Sequence, residues 1–144
     1  MSAAGYVLVV DDEPGIRGLI GAVLQDAGYR VREAGNAGQA LEIVGSERPL
    51  AAVLDYMMAG LSGVELGAEL RRVYGKELPL VFMSAAQIPR NELRKVDAYL
   101  YLTKPFEIDD LVEAVHSATS SRQPHALLVR DGAEELPHGD EQAS

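Results

Sequence analysis

The sequence predicts an α/β domain: one parallel sheet of five strands in the order 2-1-3-4-5, with helices on both faces and right-handed crossovers. Short apolar runs alternate with stretches of helical spacing, the pattern of strand-helix-strand units. Four of the five runs lead to a carboxylate, a hydroxyl or a lysine, so polar side chains gather at the carboxyl edge of such a sheet, where open α/β sheets hold ligands. Only the second run, Tyr29 to Ala34, mixes apolar with charged residues, which suits an outer strand.

The first strand is Tyr6 to Val10, ending on Asp11 and Asp12. Pro14 then suits the first turn of a helix whose apolar positions are Ile16, Leu19, Ile20, Val23, Leu24 and Ala27, with Gly28 as its stop. After the second strand, Asn36 caps a helix with Ala37, Ala40, Leu41 and Val44 inward, closed by Gly45. Leu50 to Leu54 is an unbroken apolar run ending on Asp55, as expected of a strand buried on both faces. Ser62 and Glu65 have capping-box spacing, so a third helix begins there, carries Leu66, Leu70, Val73 and Tyr74 inward and ends at Gly75. Leu80 to Met83 is a fourth strand ending on Ser84, and Arg90 to Val96 a short, weakly apolar helix. Ala98 to Leu102 is a fifth strand leading to Lys104 and Pro105; Ile108, Leu111, Val112, Val115 and Ala118 mark the last helix.

The length of 144 residues fits one domain, expected over residues 6–121. Residues 1–5 form a loose start, and 122–144 an acidic tail or linker with five acidic residues against two basic ones and one apolar patch, Ala126 to Val129. The net charge of −9 argues against a nucleic-acid groove and favours a basic peptide or a cation as partner. There is no cysteine, no run long enough to span a membrane and no signal-peptide pattern, so the cytoplasm is the expected compartment. His116, His125 and His138 are far apart and are read as solvent-exposed.

In the predicted strand order, Asp11, Asp12, Asp55, Ser84 and Lys104 converge on one edge. Carboxylates repel there: a pair at 4 Å costs about 4 kcal/mol at an effective dielectric near 20, so one is protonated or a cation is bound. An all-oxygen donor set suits a hard ion such as Mg²⁺, which joins carboxylates to phosphate. Asp55 can then act as a carboxylate nucleophile and form an aspartyl phosphate. Asp12 would hold the metal and Asp11 one of its waters, while Lys104 and Ser84 donate to phosphoryl oxygens. Each residue alone has an ordinary explanation as a helix start, a cap or a surface charge; the set in sheet order does not.

The motifs VVDDEPG at 9–15, LDYMMAGLSG at 54–63, FMSA at 82–85 and YLTKPF at 101–106 resemble the receiver domain of two-component response regulators, of the chemotaxis-regulator type, over roughly residues 6–120. The resemblance implies a flavodoxin-like (βα)5 three-layer sandwich. It implies that Asp55 accepts phosphate from a sensor histidine kinase or a histidine phosphotransfer protein. It further implies Mg²⁺, with Mn²⁺ as a substitute, held by Asp12, Asp55 and the backbone carbonyl of Met57, and a cis peptide before Pro105. Ser84 and Tyr101 match the family's switch pair, which remodels the face made by the fourth helix, fifth strand and fifth helix toward a downstream protein target or a second copy. Such a domain is not an enzyme in the usual sense; it assists its own phosphorylation and dephosphorylation.

Some positions depart from the family pattern. Ala59 replaces a common proline, which would loosen its loop. The interval from Ser84 to Lys104 is short, so the fourth helix should be shortened, and Tyr99 and Leu100 make the output face unusual. Met57 and Ala86, each two residues after a site residue, place no water and should slow dephosphorylation. The rival readings are a receiver-like adaptor that works without regulatory phosphorylation and a Mg²⁺-dependent hydrolase, whose Asp-x-Asp arrangement is absent at Asp11 and Asp55. The receiver is expected to stand alone or to be one piece of a longer regulator.

Overall fold

The computed structural model describes residues 5–58, 60–120 and the backbone of 128–129. The elements are β1 (Val7–Val10), α1 (Pro14–Asp26), β2 (Val31–Ala34), α2 (Ala37–Ser46), β3 (Ala51–Asp55), α3 (Gly63–Tyr74), a 3₁₀ turn (Gly75–Glu77), β4 (Leu80–Ser84), α4 (Arg90–Lys95), β5 (Leu100–Thr103), α5 (Ile108–Ser120) and β6 (Leu128–Val129). All strand pairs are parallel, and the order is β2-β1-β3-β4-β5-β6. The expected 2-1-3-4-5 arrangement is present, with β2 outermost. The tail adds a sixth strand beside β5, where the sequence suggested only an apolar patch in a loose extension.

Strand side chains alternate between two cores, as a pleat of period two requires. Leu8, Val10, Ala52, Leu54, Leu80, Phe82 and Tyr101 pack with Ala40 and Val44 of α2, Leu66 and Leu70 of α3 and Leu93 of α4. Val7, Val9, Val53, Val81, Met83, Leu100 and Leu102 pack with Ile20 and Leu24 of α1 and Leu111, Ala114, Val115 and Ala118 of α5. The sheet is thus sandwiched between α1 and α5 on one side and α2, α3 and α4 on the other.

Helix ends account for where the boundaries differ from expectation. Gly28 (φ +105°) ends α1 so that the Tyr29 amide donates back to the Leu24 carbonyl at 3.0 Å, and β2 therefore starts at Val31 rather than Tyr29. The same device ends α4: Asp97 has φ +53°, the Ala98 amide donates to Leu93 at 3.1 Å, and β5 starts at Leu100 rather than Ala98. Gly45 does not close α2, which runs through Ser46. The Ser62–Glu65 capping box is formed reciprocally at 3.1 and 2.9 Å. Leu19 and Val73, expected inward, are more than half exposed because each lies one residue off its helix's buried stripe; Ile108 is exposed at the head of α5, and Ala27 is an exposed cap. His116 is exposed; His125, His138 and Ala59, with the loosened loop proposed for it, lie outside the described residues.

The short α4 is fastened by a residue that periodicity did not single out. The Arg71 guanidinium donates to the carbonyls of Gly75 (2.7 Å), Leu78 (2.6 Å), Val96 (3.0 Å) and Asp97 (3.1 Å). It ties α3, the turn after it and the end of α4 into one unit, and burial pulls its pKa below the usual arginine value. Replacing Arg71 with Met leaves several carbonyls without this donor and is expected to lower stability by about 3 kcal/mol, with Arg71→Lys recovering only part because an ammonium cannot fork to four acceptors. Urea unfolding of the three proteins measures this; equal midpoints would show the clamp to be dispensable.

Candidate functional site

The site is assembled by strand register. Val10 pairs with Leu54, so the next residues, Asp11 and Asp55, face each other across adjacent strands. By alternation they follow Val9 and Val53 and point to the α1/α5 side. The ladder continues past the strand ends: the Asp11 amide donates to Ala34 (3.2 Å), that of Tyr56 to Met83 (2.8 Å) and that of Lys104 to Ser84 (2.7 Å). This edge is therefore held by sheet hydrogen bonds rather than by free loops.

Carboxylate oxygens of Asp11, Asp12 and Asp55 all lie within 4.8 Å of one another. Asp11 and Asp55 are buried, at 1% and 5% exposure, and Asp12 is exposed. The Lys104 ammonium sits between the buried pair, 3.3 Å from Asp11 Oδ2 and 3.4 Å from Asp55 Oδ1. Asp11 Oδ1 also accepts from the Glu13 amide at 3.0 Å. Burial, and then the nearby Asp11 charge, push the Asp55 carboxyl up to about 6, while Lys104 and the Met57 backbone amide oppose the rise. One ammonium does not neutralise three carboxylates, so this oxygen-only donor set fits a hard divalent cation, with Asp11, Asp12 and Asp55 as the residues able to hold it.

The remaining predicted residues make contacts outside this cluster. Ser84 is fully buried at the end of β4, and its hydroxyl accepts from the Ala86 amide at 3.0 Å. Tyr101 is 2% exposed; its hydroxyl accepts from the Ile88 amide (3.2 Å) and donates to the Ala86 carbonyl (3.3 Å), spanning the β4–α4 loop. The Lys104–Pro105 peptide is cis. Met57 and Ala86 present exposed side chains. As expected, α4 is short, at six residues, and the buried Tyr99 stands beside Leu100, its hydroxyl meeting Ser117 Oγ at 2.7 Å.

Residues 7–116 match the family of response regulator receiver domains. The chain belongs to this family. The receiver is 37% identical over 109 residues to the phosphate regulon transcriptional regulatory protein PhoB of Pseudomonas aeruginosa, across 74% of this chain and 48% of that protein. It is 34% identical over 111 residues to sporulation initiation phosphotransferase F of Bacillus subtilis, across 76% of this chain and 89% of that one. It thus spans about half the length of the first relative and nearly all of the second. Among solved structures it resembles the response regulator TrrA of Thermotoga maritima in complex with Mg²⁺-BeF (35% identity, TM-score 0.72, 79% of this chain and 98% of that chain). It also resembles Vibrio cholerae chemotaxis protein CheY4 (29% identity, TM-score 0.76, 81% and 99% covered). Among the described residues, no helix of the receiver is long and apolar enough to cross a membrane.

Two supporting residues escaped the sequence reading. Arg17 donates to the Asp11 carbonyl at 2.9 Å and pairs with Glu33 at 3.5 Å, bracing the Asp11–Asp12 turn against β2; a charge beside the apolar stripe of α1 was the available signal. Gly63 opens α3 so close to β3 that an added Cβ would stand 2.3 Å from the Asp55 carbonyl oxygen, so only glycine fits without moving Asp55. A glycine at the first position of a helix that needs no turn there was its signal.

The raised Asp55 pKa has a definite sign for stability. Because it lies near 6 in the fold against 3.8 as a free side chain, the folded chain holds an extra proton between those values. This group's contribution is most favourable below pH about 4, declines as pH rises to about 6 and is then constant. Without divalent metal, Asp55→Asn is expected to be more stable than the native chain above pH 6, by on the order of 3 kcal/mol, with the gap closing below pH 4. Urea midpoints across that range test it; a gap independent of pH would contradict the assignment.

Proposed function

We propose that this receiver is a phosphorylation-controlled switch in which Asp55 takes a phosphoryl group from a phosphohistidine on a sensor kinase or phosphotransfer protein. The observation that carries the reading is Lys104 lying within 3.4 Å of both Asp11 and Asp55, at a three-carboxylate cluster. An Asp55 oxygen attacks phosphorus, the P–N bond breaks, and the imidazole leaves with the electron pair and is protonated. With a pKa near 6, Asp55 is mostly carboxylate at neutral pH and so is available as nucleophile. Lys104 exchanges its contact with Asp55 for one with a phosphoryl oxygen, and neutralises charge that develops there. Asp12, Asp55 and the Met57 carbonyl would hold Mg²⁺, with Asp11 acting through water, and the ion would supply charge neutralisation.

Ser84 gives up its bond from the Ala86 amide when its hydroxyl turns to donate to the phosphoryl group. Ala86 is also the residue whose carbonyl accepts from Tyr101, so that movement reaches the β4–α4 loop and the α4–β5–α5 face, where a downstream protein or a second copy would bind. The setting is a phosphorelay in the cytoplasm, without direct contact to nucleic acid or membrane. A second reading, an adaptor that binds partners without regulatory phosphorylation, is favoured by one observation: the Tyr101 ring is already inward in the unmodified chain.

Intact mass after incubation with acetyl phosphate and Mg²⁺ separates the readings. The native chain is expected to gain one phosphoryl group, and Asp55→Asn or metal-free protein none; failure with acetyl phosphate and with phosphorylated kinases alike would leave the adaptor. The exposed Met57 and Ala86 offer no polar group to position an attacking water, so the acyl phosphate should be long-lived. Met57→Asn is expected to shorten its half-life about tenfold, followed as loss of the phosphorylated mass, and equal half-lives would remove that role.

A further inference from the structure

We infer that Leu128 and Val129 form a detachable intramolecular cap on the β5 edge of the sheet. In a five-stranded sheet of order 2-1-3-4-5, β5 would be an edge strand, presenting a row of unpaired amides and carbonyls beside the apolar Leu100, Tyr101 and Leu102. Such edges template pairing with other chains unless they are covered. Here Leu128 pairs with Leu100 and Val129 with Tyr101, in parallel. Leu128 and Val129 belong to the apolar patch (ALLV, 126–129) of an otherwise polar tail with five acidic and two basic residues, so the paired residues are ones that composition also singles out.

The parallel sense fits the chain order: α5 lies between β5 and β6, so the three make a parallel strand-helix-strand crossover. The cap is small: it pairs with the first two residues of β5 and leaves Leu102 and Thr103 beyond it. Two residues of pairing make a local unit that opens far more readily than the core. It is held well enough to cover the edge and weakly enough to be displaced. Tyr101 has its backbone between Phe82 of β4 and Val129 of β6, so the cap lies against the strand that carries the switch aromatic. On the receiver reading, anything that adds to the α4–β5–α5 face competes with the chain's own tail; the cap itself does not depend on that reading.

Hydrogen exchange on the full chain tests the cap without reference to phosphorylation. The β5 amides that face away from β4 are expected to be protected in the native protein and to exchange at least about tenfold faster in the Leu128→Pro/Val129→Pro double variant, because proline removes the donors and disfavours pairing. Amides of β5 that face β4 should be unchanged, which reports that the variant's core is intact. Outward amides exchanging at the unprotected rate in the native chain, or unaffected by the two prolines, would overturn the proposal. So would protection that disappears on dilution together with a sedimenting dimer, since the strand would then come from a second copy.

Discussion

The juxtaposition of Asp11 and Asp55 across β1 and β3, with Lys104 between them, is the constraint on which the rest of this receiver depends. Two carboxylates at such a distance repel by about 4 kcal/mol at an effective dielectric near 20, whereas one fully buried leucine contributes about 2 kcal/mol. A few strand side chains therefore outweigh the repulsion, and β1, β3 and β4 are buried throughout. The central strands are apolar because they hold a charged edge together. Burial, and then the Asp11 charge, raise the pKa of Asp55, and the same cluster of carboxylates fits a cation.

From that edge the path to the surface is short. Ser84 and Tyr101 both bond to Ala86, one through its amide and the other through its carbonyl. The β4–α4 loop is thus suspended between the end of β4 and β5, and α4 beyond it is only six residues long. A helix this short has little propagation energy of its own and depends on tertiary fastening. Arg71 supplies it from α3, by gripping the carbonyls of Val96 and Asp97. The far end of α4 is consequently anchored, and a change at Ser84 is directed into the loop and the sheet edge beside it.

Much of this was legible in the residues. The two-face burial of Ala51–Asp55 followed from an unbroken apolar run, the outer position of β2 from its mixed charges, and the start of α3 from Ser62 and Glu65. Local chemistry of this kind acts within a few residues, so a linear reading detects it. Other features were misplaced because a backbone amide had a competing use. Tyr29 and Ala98 looked like strand residues, yet each amide closes the preceding helix. Leu19 and Val73 looked like core and are surface, since periodicity resolves a helix face only to about one residue in four.

By itself the sequence determined the strand order, the cast of Asp11, Asp12, Asp55, Ser84 and Lys104, and the family they resemble, because these depend on residue type and on the ends of apolar runs. Only the tertiary structure decided which of those groups touch, how far the Asp55 pKa rises, and which quiet residues support them. Arg17, Gly63 and Arg71 act through carbonyls supplied by other elements, Asp11, Asp55, Val96 and Asp97 among them. The pairing of the tail with β5 is of the same kind. A main-chain acceptor is the same in every residue, so its partner can be known only once the chain has brought the two together.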